Sequence, residues 1–135
     1  MRLAAALAVP MDIVEPCGFL LDDRRMRRAG MDYIDQLDLT RHASWDAYRQ
    51  APHGGRLVLL TTRAALPYTA FAFRPDDRLL VGRESAGVPE EVHDAADARV
   101  VIPLRPPARS LNVAIAAAMV LGEALRQTGA FPETA

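Results

Sequence analysis

The sequence predicts an α/β fold with a mainly parallel sheet flanked by helices. Short apolar runs without polar alternation, typical of strands buried on both faces, recur at residues 57–60, 79–81 and 100–102. Segments typical of helices separate these runs, and a long apolar helix follows the last one. Because parallel strands need a crossover connection, usually a helix, this alternation favours a parallel sheet.

Length and composition indicate one domain spanning residues 1–135. The chain has 50% hydrophobic and 24% charged residues and a net charge of −1, so any contact with RNA must come from a local patch. All 16 basic residues are arginine, for which genomic codon bias is a simpler explanation than phosphate binding. One cysteine and three scattered histidines predict neither a disulfide framework nor a zinc site. The apolar start of the chain lacks the pattern of a signal peptide, so we expect a cytoplasmic protein.

The first part of the chain predicts short elements. Residues 11–14 and 37–39 are typical of strands, and Ser44 is a good N-cap for a helix over Trp45–Gln50. Trp45 and Tyr48 lie at helical spacing, which favours core packing over base stacking. Between these elements a short helix closed by Gly30 carries a cationic group: Arg24, Arg25, Arg27 and Arg28.

The second part of the chain predicts strands that end in loops. The strand at 57–60 ends at Thr61, and the strand at 79–81 ends at Gly82. A loop then leads into a helix whose first turn holds Pro89, Glu90 and Glu91, all suited to a helix N-terminus.

We expect the rest of the chain to pack around the stretch 99–127. A strand at 100–102 and a proline-rich turn precede a helix that is apolar from 113 to 121. Since a helix that is apolar nearly all round needs cover on every side, we expect it to contact both its own sheet and a second subunit. The apolar run is well short of the roughly 20 residues that cross a bilayer, which excludes a membrane span.

Three loops follow the three buried strands and should meet in one crevice, because ligands bind at the carboxyl edge of open α/β sheets. The middle loop, Gly82-Arg83-Glu84-Ser85-Ala86-Gly87, permits close backbone approach and offers one carboxylate. It matches neither a phosphate-binding Walker loop nor a dinucleotide fingerprint, and taken alone an ordinary glycine turn explains it.

From residue 2 to residue 127 the chain resembles the SpoU/TrmH branch of the SPOUT RNA methyltransferases, and within it the tRNA wobble-nucleotide 2′-O-methyltransferases of the TrmL type. The last two of the matching segments correspond to the family's second and third motifs in order and spacing. The matching segments are IVEPCGF (13–19), RRAGMDY (27–33), LLTTR (59–63), VGRESAGVP (81–89) and VIPLRPPARSLNVAIAAAMVLGEALRQ (101–127).

The resemblance implies a homodimer, formed through the C-terminal helix, that binds S-adenosylmethionine in a C-terminal trefoil knot. The implied cofactor-binding positions are Leu60, Thr61, Gly82, Glu84, Gly87, Ile102, Leu104 and Ser110. The implied catalytic positions are Arg2, Glu84, Ser110 and Asn112.

The implied reaction is an in-line attack of a ribose 2′-hydroxyl on the methyl group of a sulfonium, for which no metal is required. A guanidinium is a poor proton acceptor, so we interpret Arg2 as a phosphate anchor and a stabiliser of developing alkoxide charge. Contacts with a tRNA anticodon stem-loop are implied for Arg24, Arg25, Arg27, Arg28 and Arg109. The simpler alternatives are a solvated helix face for the first four, an ion pair for Arg109, and helix capping for Ser110 and Asn112.

Family members open with a strand and an Asn-x-Gly turn that this sequence lacks. We therefore expect the natural product to carry about 15–20 further N-terminal residues, the length of a strand and a turn. The leading hypothesis is a tRNA wobble-position 2′-O-methyltransferase. The alternatives are a knotted RNA-binding or dimerisation module without catalysis, and the same reaction on ribosomal RNA.

Overall fold

The computed structural model describes residues 7, 9–14, 39–51, 54–82, 88–108 and 111–132. The chain divides into two compact units. The first comprises Met1–His53 with Phe131–Ala135, and the second comprises Gly54–Ala130.

The first unit contains a pair of parallel strands, β1 (Met11–Val14) and β2 (Leu39–His42), with Met11 opposite Leu39 and Val14 opposite His42. The prediction of β1 is confirmed. The prediction of β2 at 37–39 is confirmed at Leu39 and wrong at its C-terminal end, because the strand continues through polar residues to His42; residues 37 and 38 lie outside the described residues. Backbone groups form the ladder, so apolar side chains alone did not mark where this strand ends.

Helix α1 (Trp45–Gln50) begins where the sequence predicts, with the Ala47 N–H donating to Ser44 Oγ at 3.0 Å. Tyr48 is buried, and its ring stacks on Trp45 with centroids 5.5 Å apart. His42 meets the edge of the Tyr48 ring at 5.0 Å. These contacts support the interpretation of Trp45 and Tyr48 as packing residues of the first unit.

The second unit contains a sheet of three parallel strands in the order β4-β3-β5, as the apolar runs predict. Strand β3 (Leu57–Leu60) lies at the centre, which explains why Val58 and Leu59 are fully buried. Strand β4 (Arg78–Val81) begins one residue before the predicted run.

Strand β5 (Ala98–Val100) lies two residues earlier than the predicted strand at 100–102. Val101 instead forms an isolated parallel bridge with Pro67. Its N–H donates to the Leu66 carbonyl, and its carbonyl accepts from the Tyr68 N–H, both at 2.9 Å. Of the predicted strand, Val100 therefore belongs to the sheet, whereas Val101 pairs with the loop that follows β3 and not with β3 itself.

Two helices complete the second unit: α2 (Glu90–Ala95) and α3 (Val113–Thr128). Pro89 is the N-cap of α2 and not its first helical residue. Helix α3 confirms the predicted C-terminal helix and ends at Gly129, whose left-handed φ of 66° closes the last turn. Among the described residues, no helix is long and apolar enough to span a membrane.

Helix α3 packs on the sheet through one face. Val120 joins the fully buried Val58 and Val100 in the core, and Ala124 packs against them. Near its C-terminal end, the Gln127 side chain accepts from the Phe73 N–H at 2.8 Å and donates to the Phe71 carbonyl at 2.9 Å. These contacts fix the helix to the segment that leads into β4.

Candidate active site

The three parallel strands end at the same edge of the sheet. Leu60 of β3 lies opposite Val81 of β4 and Val100 of β5, so the loops that begin at Thr61, Gly82 and Val101 start side by side. The expectation that three loops meet at one edge is confirmed for their first residues. In open parallel sheets this carboxyl edge is where ligands bind.

The loop after β3 is closed by Thr61. The Thr61 N–H donates to the Val100 carbonyl at 2.9 Å, and Thr61 Oγ1 accepts from the Arg63 N–H at 3.2 Å. The Thr61 carbonyl accepts from the Ala64 N–H at 3.3 Å. Since each of these polar groups already has a partner within the chain, Thr61 shapes the turn, and its direct role in holding a cofactor stays a prediction.

Three other predicted cofactor positions differ from Thr61 in their backbone hydrogen bonds. Gly82, Ile102 and Leu104 are half-buried, and none of them makes a backbone hydrogen bond to another described residue outside the strand ladders. The register of β3 with β4 places the Gly82 N–H against the Leu60 carbonyl, whereas Ile102 and Leu104 lie beyond β5, where water or a polar ligand can hydrogen-bond their backbone groups. Ile102 and Leu104 are therefore suited to hydrogen-bond a small molecule lying on this edge.

Three of the implied cofactor-binding positions carry apolar side chains, and these also lie at this edge. Leu60 and Ile102 are half-buried and pack against the core cluster of Val58, Phe73, Val100 and Val120. Leu104 is half-buried. The floor of the edge is thus apolar and fixed by the core beneath it.

Asn112 caps α3. Its Oδ1 accepts from the Ala114 N–H at 2.9 Å, as expected for a capping residue. The side chain is exposed, and its amide NH₂ donates to no other residue in the described ranges. Capping uses only the oxygen, so the NH₂ group stays available for a second contact.

Several predicted residues lie outside the described part of the chain, so their roles stay predictions. Among the catalytic and cofactor positions these are Arg2, Glu84, Gly87 and Ser110; among the RNA-binding positions they are Arg24, Arg25, Arg27, Arg28 and Arg109.

An ion pair that the sequence did not reveal connects the loop after β3 with α2. Arg63 donates two hydrogen bonds to the Glu90 carboxylate, at 2.7 and 3.1 Å, while both side chains remain more than half exposed. These hydrogen bonds favour the charged forms, so the pKa of Arg63 is raised and the pKa of Glu90 is lowered. The two residues are 27 positions apart, and nothing in the sequence pattern pairs them.

One group of side chains on α2 has the composition of a metal site. Glu90, His93 and Asp94 each place a ligand atom within 4.8 Å of the others. Both Glu90 oxygens are already engaged by Arg63, and Glu90 and Asp94 are exposed. The Arg63 ion pair and the exposure of the two carboxylates therefore explain the group without a metal ion.

A three-stranded parallel sheet flanked by helices, with three loops that start at its carboxyl edge, defines the protein as an α/β protein. Residues 1–122 match the SpoU rRNA Methylase family. The chain belongs to this family.

Several proteins similar to this chain have names that describe a methyltransferase or a methylation reaction. A tRNA (cytidine(34)-2'-O)-methyltransferase of Beijerinckia indica is 68% identical over 132 residues, which cover 96% of this chain and 82% of the relative. A solved structure described as giving insight into 2-OH methylation of C/U34 on tRNA has a TM-score of 0.82 and 40% identity, covering 93% of this chain and 78% of that one. The SpoU methyltransferase AviRb of Streptomyces viridochromogenes, solved with the cofactor AdoMet, has a TM-score of 0.76 and 28% identity, covering 93% of this chain and 53% of that one.

Proposed function

We propose that this protein is an S-adenosylmethionine-dependent RNA 2′-O-methyltransferase that acts on the wobble nucleotide of tRNA. Its family membership and the name of its 68% identical relative support the reaction and the substrate. The structural observation that carries the proposal is the carboxyl edge of β4-β3-β5, where three parallel strands end side by side at positions that match the family's motifs.

The residues at this edge fit the cofactor. The adenine and ribose of S-adenosylmethionine present hydrogen-bonding groups beside an apolar base face, and the edge offers backbone groups of Gly82, Ile102 and Leu104 above an apolar floor. When bound, the cofactor supplies an activated methyl group on a sulfonium. Leu60, Glu84, Gly87 and Ser110 complete the proposed cofactor site, and Thr61 holds its first turn.

The proposed catalytic residues align the ribose and stabilise charge. The Asn112 NH₂, left unused by the helix cap, donates a hydrogen bond to the ribose or to the cofactor. Arg2 binds the neighbouring phosphate and stabilises the oxygen as it loses its proton, while Glu84 and Ser110 supply further polar contacts.

The proposed RNA contact consists of arginines that match the family's pattern: Arg24, Arg25, Arg27, Arg28 and Arg109. Guanidinium groups bind phosphates through paired hydrogen bonds, so a cluster of them suits the backbone of an anticodon stem-loop. Since tRNA is the proposed substrate, we place the protein in the cytoplasm.

We also propose that the protein is a homodimer formed through α3 and that its C-terminal segment forms the family's trefoil knot. The exposed apolar side chains of Ile115 and Met119 support the dimer, since both lie on α3 and are 57% and 39% exposed in the single chain. Apolar side chains one helical turn apart form a continuous stripe that a second copy of the helix covers.

Incubation of the protein with methyl-labelled S-adenosylmethionine and bulk tRNA tests the proposal. We expect label in tRNA, and mapping by nuclease digestion places it on the ribose of the wobble nucleotide. Binding of tRNA without label transfer would favour the noncatalytic alternative. Label appearing only when ribosomal RNA is supplied would favour the rRNA alternative and overturn the proposed substrate.

A further inference from the structure

Arg105 lies in the proline-rich loop that follows β5 at the carboxyl edge of the sheet. The start of this loop is fixed, because the Val101 backbone is hydrogen-bonded to Leu66 and to Tyr68, both at 2.9 Å. The Arg105 carbonyl accepts from the Ala108 N–H at 3.1 Å, which closes a turn. Since four residues of extended chain span at most about 14 Å, the backbone of Arg105 stays within that distance of Val101.

Neighbouring residues of this loop differ in burial. Leu104 is half-buried, whereas Arg105 and the prolines on either side are exposed. Prolines at positions 103, 106 and 107 restrict the backbone, because the pyrrolidine ring fixes φ. The loop therefore presents the Arg105 guanidinium to solvent from a restricted backbone, which lowers the entropy cost of ordering the loop when a ligand binds.

Arg105 differs from the other described arginines of the second unit in the partners of its side chain. The others bind a carboxylate, bind a backbone carbonyl or lie beside a carboxylate: Arg56, Arg63, Arg74, Arg78, Arg99 and Arg126. The Arg105 side chain forms neither a hydrogen bond nor an ion pair with a described residue. At the carboxyl edge the charge of Arg63 is offset by Glu90, so Arg105 supplies a positive charge there that no described carboxylate binds.

We propose that Arg105 binds a backbone phosphate of the RNA substrate beside the nucleotide that is methylated. This inference rests on the proposed function: the target ribose must reach a methyl donor at the carboxyl edge, so its flanking phosphates pass the same edge. A guanidinium binds a phosphate through paired, charge-assisted hydrogen bonds. Because the net charge of the chain is −1, attraction to RNA depends on local groups of this kind.

Binding of bulk tRNA at a series of salt concentrations tests this contact in Arg105→Gln. We expect the Kd for tRNA to rise about fivefold and the slope of log K against log salt to fall by about one, because one phosphate contact is lost. Arg105→Lys keeps the charge, so we expect it to keep the wild-type slope. Calorimetry should give a Kd for S-adenosylhomocysteine within about twofold of the wild type in both variants, since the contact is to RNA.

Arg74→Gln is the matched control. It removes the same charge from another exposed arginine, which precedes β4 and so lies at the opposite edge of the same sheet. We expect its Kd for tRNA and its salt slope to equal those of the wild type. Thermal melts show whether each variant is folded. An equal loss of tRNA affinity in Arg74→Gln and Arg105→Gln would reflect total charge and would overturn the assignment to Arg105.

Each failure has a separate signature. A wild-type protein that neither binds nor methylates tRNA would overturn the proposed function and this inference together. Wild-type methyl transfer combined with unchanged tRNA affinity and salt slope in Arg105→Gln would overturn this inference alone. Weaker binding of S-adenosylhomocysteine by Arg105→Gln, with an unchanged salt slope for tRNA, would also overturn it, because Arg105 would then contact the cofactor.

Discussion

Two adjacent glycines, Gly54 and Gly55, precede strand β3 at the amino edge of the sheet, and their surroundings differ. Gly55 has a φ of 76°, and a Cβ placed on it would collide with the backbone carbonyl of Asp76. The adjacent Gly54 has open space around it. The backbone conformation and the close approach of Asp76 thus favour glycine at position 55 but not at position 54, a difference that the sequence does not show.

We expect Gly55→Ala to lower the free energy of unfolding by about 2 kcal/mol or more, through left-handed strain and the clash with Asp76. Gly54→Ala is the control, and we expect it to change stability by less than about 0.5 kcal/mol. Urea denaturation measures both. Equal stability of the two variants would contradict the assignment of strain to Gly55.

Asp77 makes the stability of the second unit dependent on pH. It accepts from Arg56 at 2.8 and 2.7 Å and from the Arg74 N–H at 2.8 Å. Burial alone raises the pKa of Asp77, but these hydrogen bonds and the nearby positive charges outweigh burial and lower it below 3.8.

Because the folded pKa of Asp77 lies below its unfolded value, its stabilising contribution is complete above about pH 4 and is lost as the pH falls through the folded value. We expect Asp77→Asn to be less stable than the wild type at pH 7, and the difference to shrink towards pH 2. Thermal melts at a series of pH values measure this. A difference that stays constant with pH would contradict the role of the charged carboxylate.

At the scale of the elements, apolar runs predicted the bounds of the central strand correctly, whereas the bounds of the two outer strands were wrong by one or two residues. Strand β3 was predicted to the residue, because a central strand is apolar on both faces. Strand β5 was misplaced by two residues, because Val101 is as apolar as a strand residue but pairs with Leu66 and Tyr68 of a loop. The apolar composition of the run does not show whether Val101 pairs with a strand or with a loop, because both pair through backbone groups.

The candidate site shows the same limit. The ends of β3 and β4 placed Thr61 and Gly82 at the carboxyl edge from sequence alone, since parallel strands bring these ends together. The contact of Arg63 with Glu90 joins residues that are 27 positions apart, with strand β4 between them, and no local pattern encodes such a contact. The capping bond of Asn112 was foreseen, because an Asn before a long apolar helix is a common N-cap.

Asn112 links the stability of α3 to the proposed chemistry, and two substitutions separate these roles. Asn112→Asp keeps the capping oxygen and removes the NH₂ donor, so we expect normal thermal stability with methyl transfer reduced at least about tenfold. Asn112→Ala removes both groups, and we expect it also to lose about 1 kcal/mol of stability. Thermal melts and methyl-transfer assays measure these effects. Full activity of Asn112→Asp would show that the residue is only a cap.

At the scale of the whole molecule, α3 presents two apolar surfaces. Val120 and Leu125 are buried, whereas Ile115 and Met119 are exposed. A helix that packs on its own sheet through one face and keeps apolar side chains on another is typical of a subunit interface.

We expect the double variant Ile115→Glu with Met119→Glu to be monomeric, because each copy would have to bury two charges without partners in the proposed interface. Light scattering after size-exclusion chromatography measures the mass. Arg126→Ala, on the same helix, is the control and is expected to remain dimeric. A wild-type protein that is monomeric at micromolar concentration would contradict the proposed dimer.

The central claim is that a methyl donor lies on the carboxyl edge of β4-β3-β5, and amide hydrogen exchange with and without S-adenosylhomocysteine tests it most directly. The N–H groups of Ile102 and Leu104, which lie beyond β5, donate to no backbone carbonyl of another described residue, so we expect the ligand to slow exchange at these two amides. Exchange at Gly55 and Asp76, at the opposite edge, should not change. Unaltered exchange at Ile102 and Leu104, or protection confined to the opposite edge, would contradict the account.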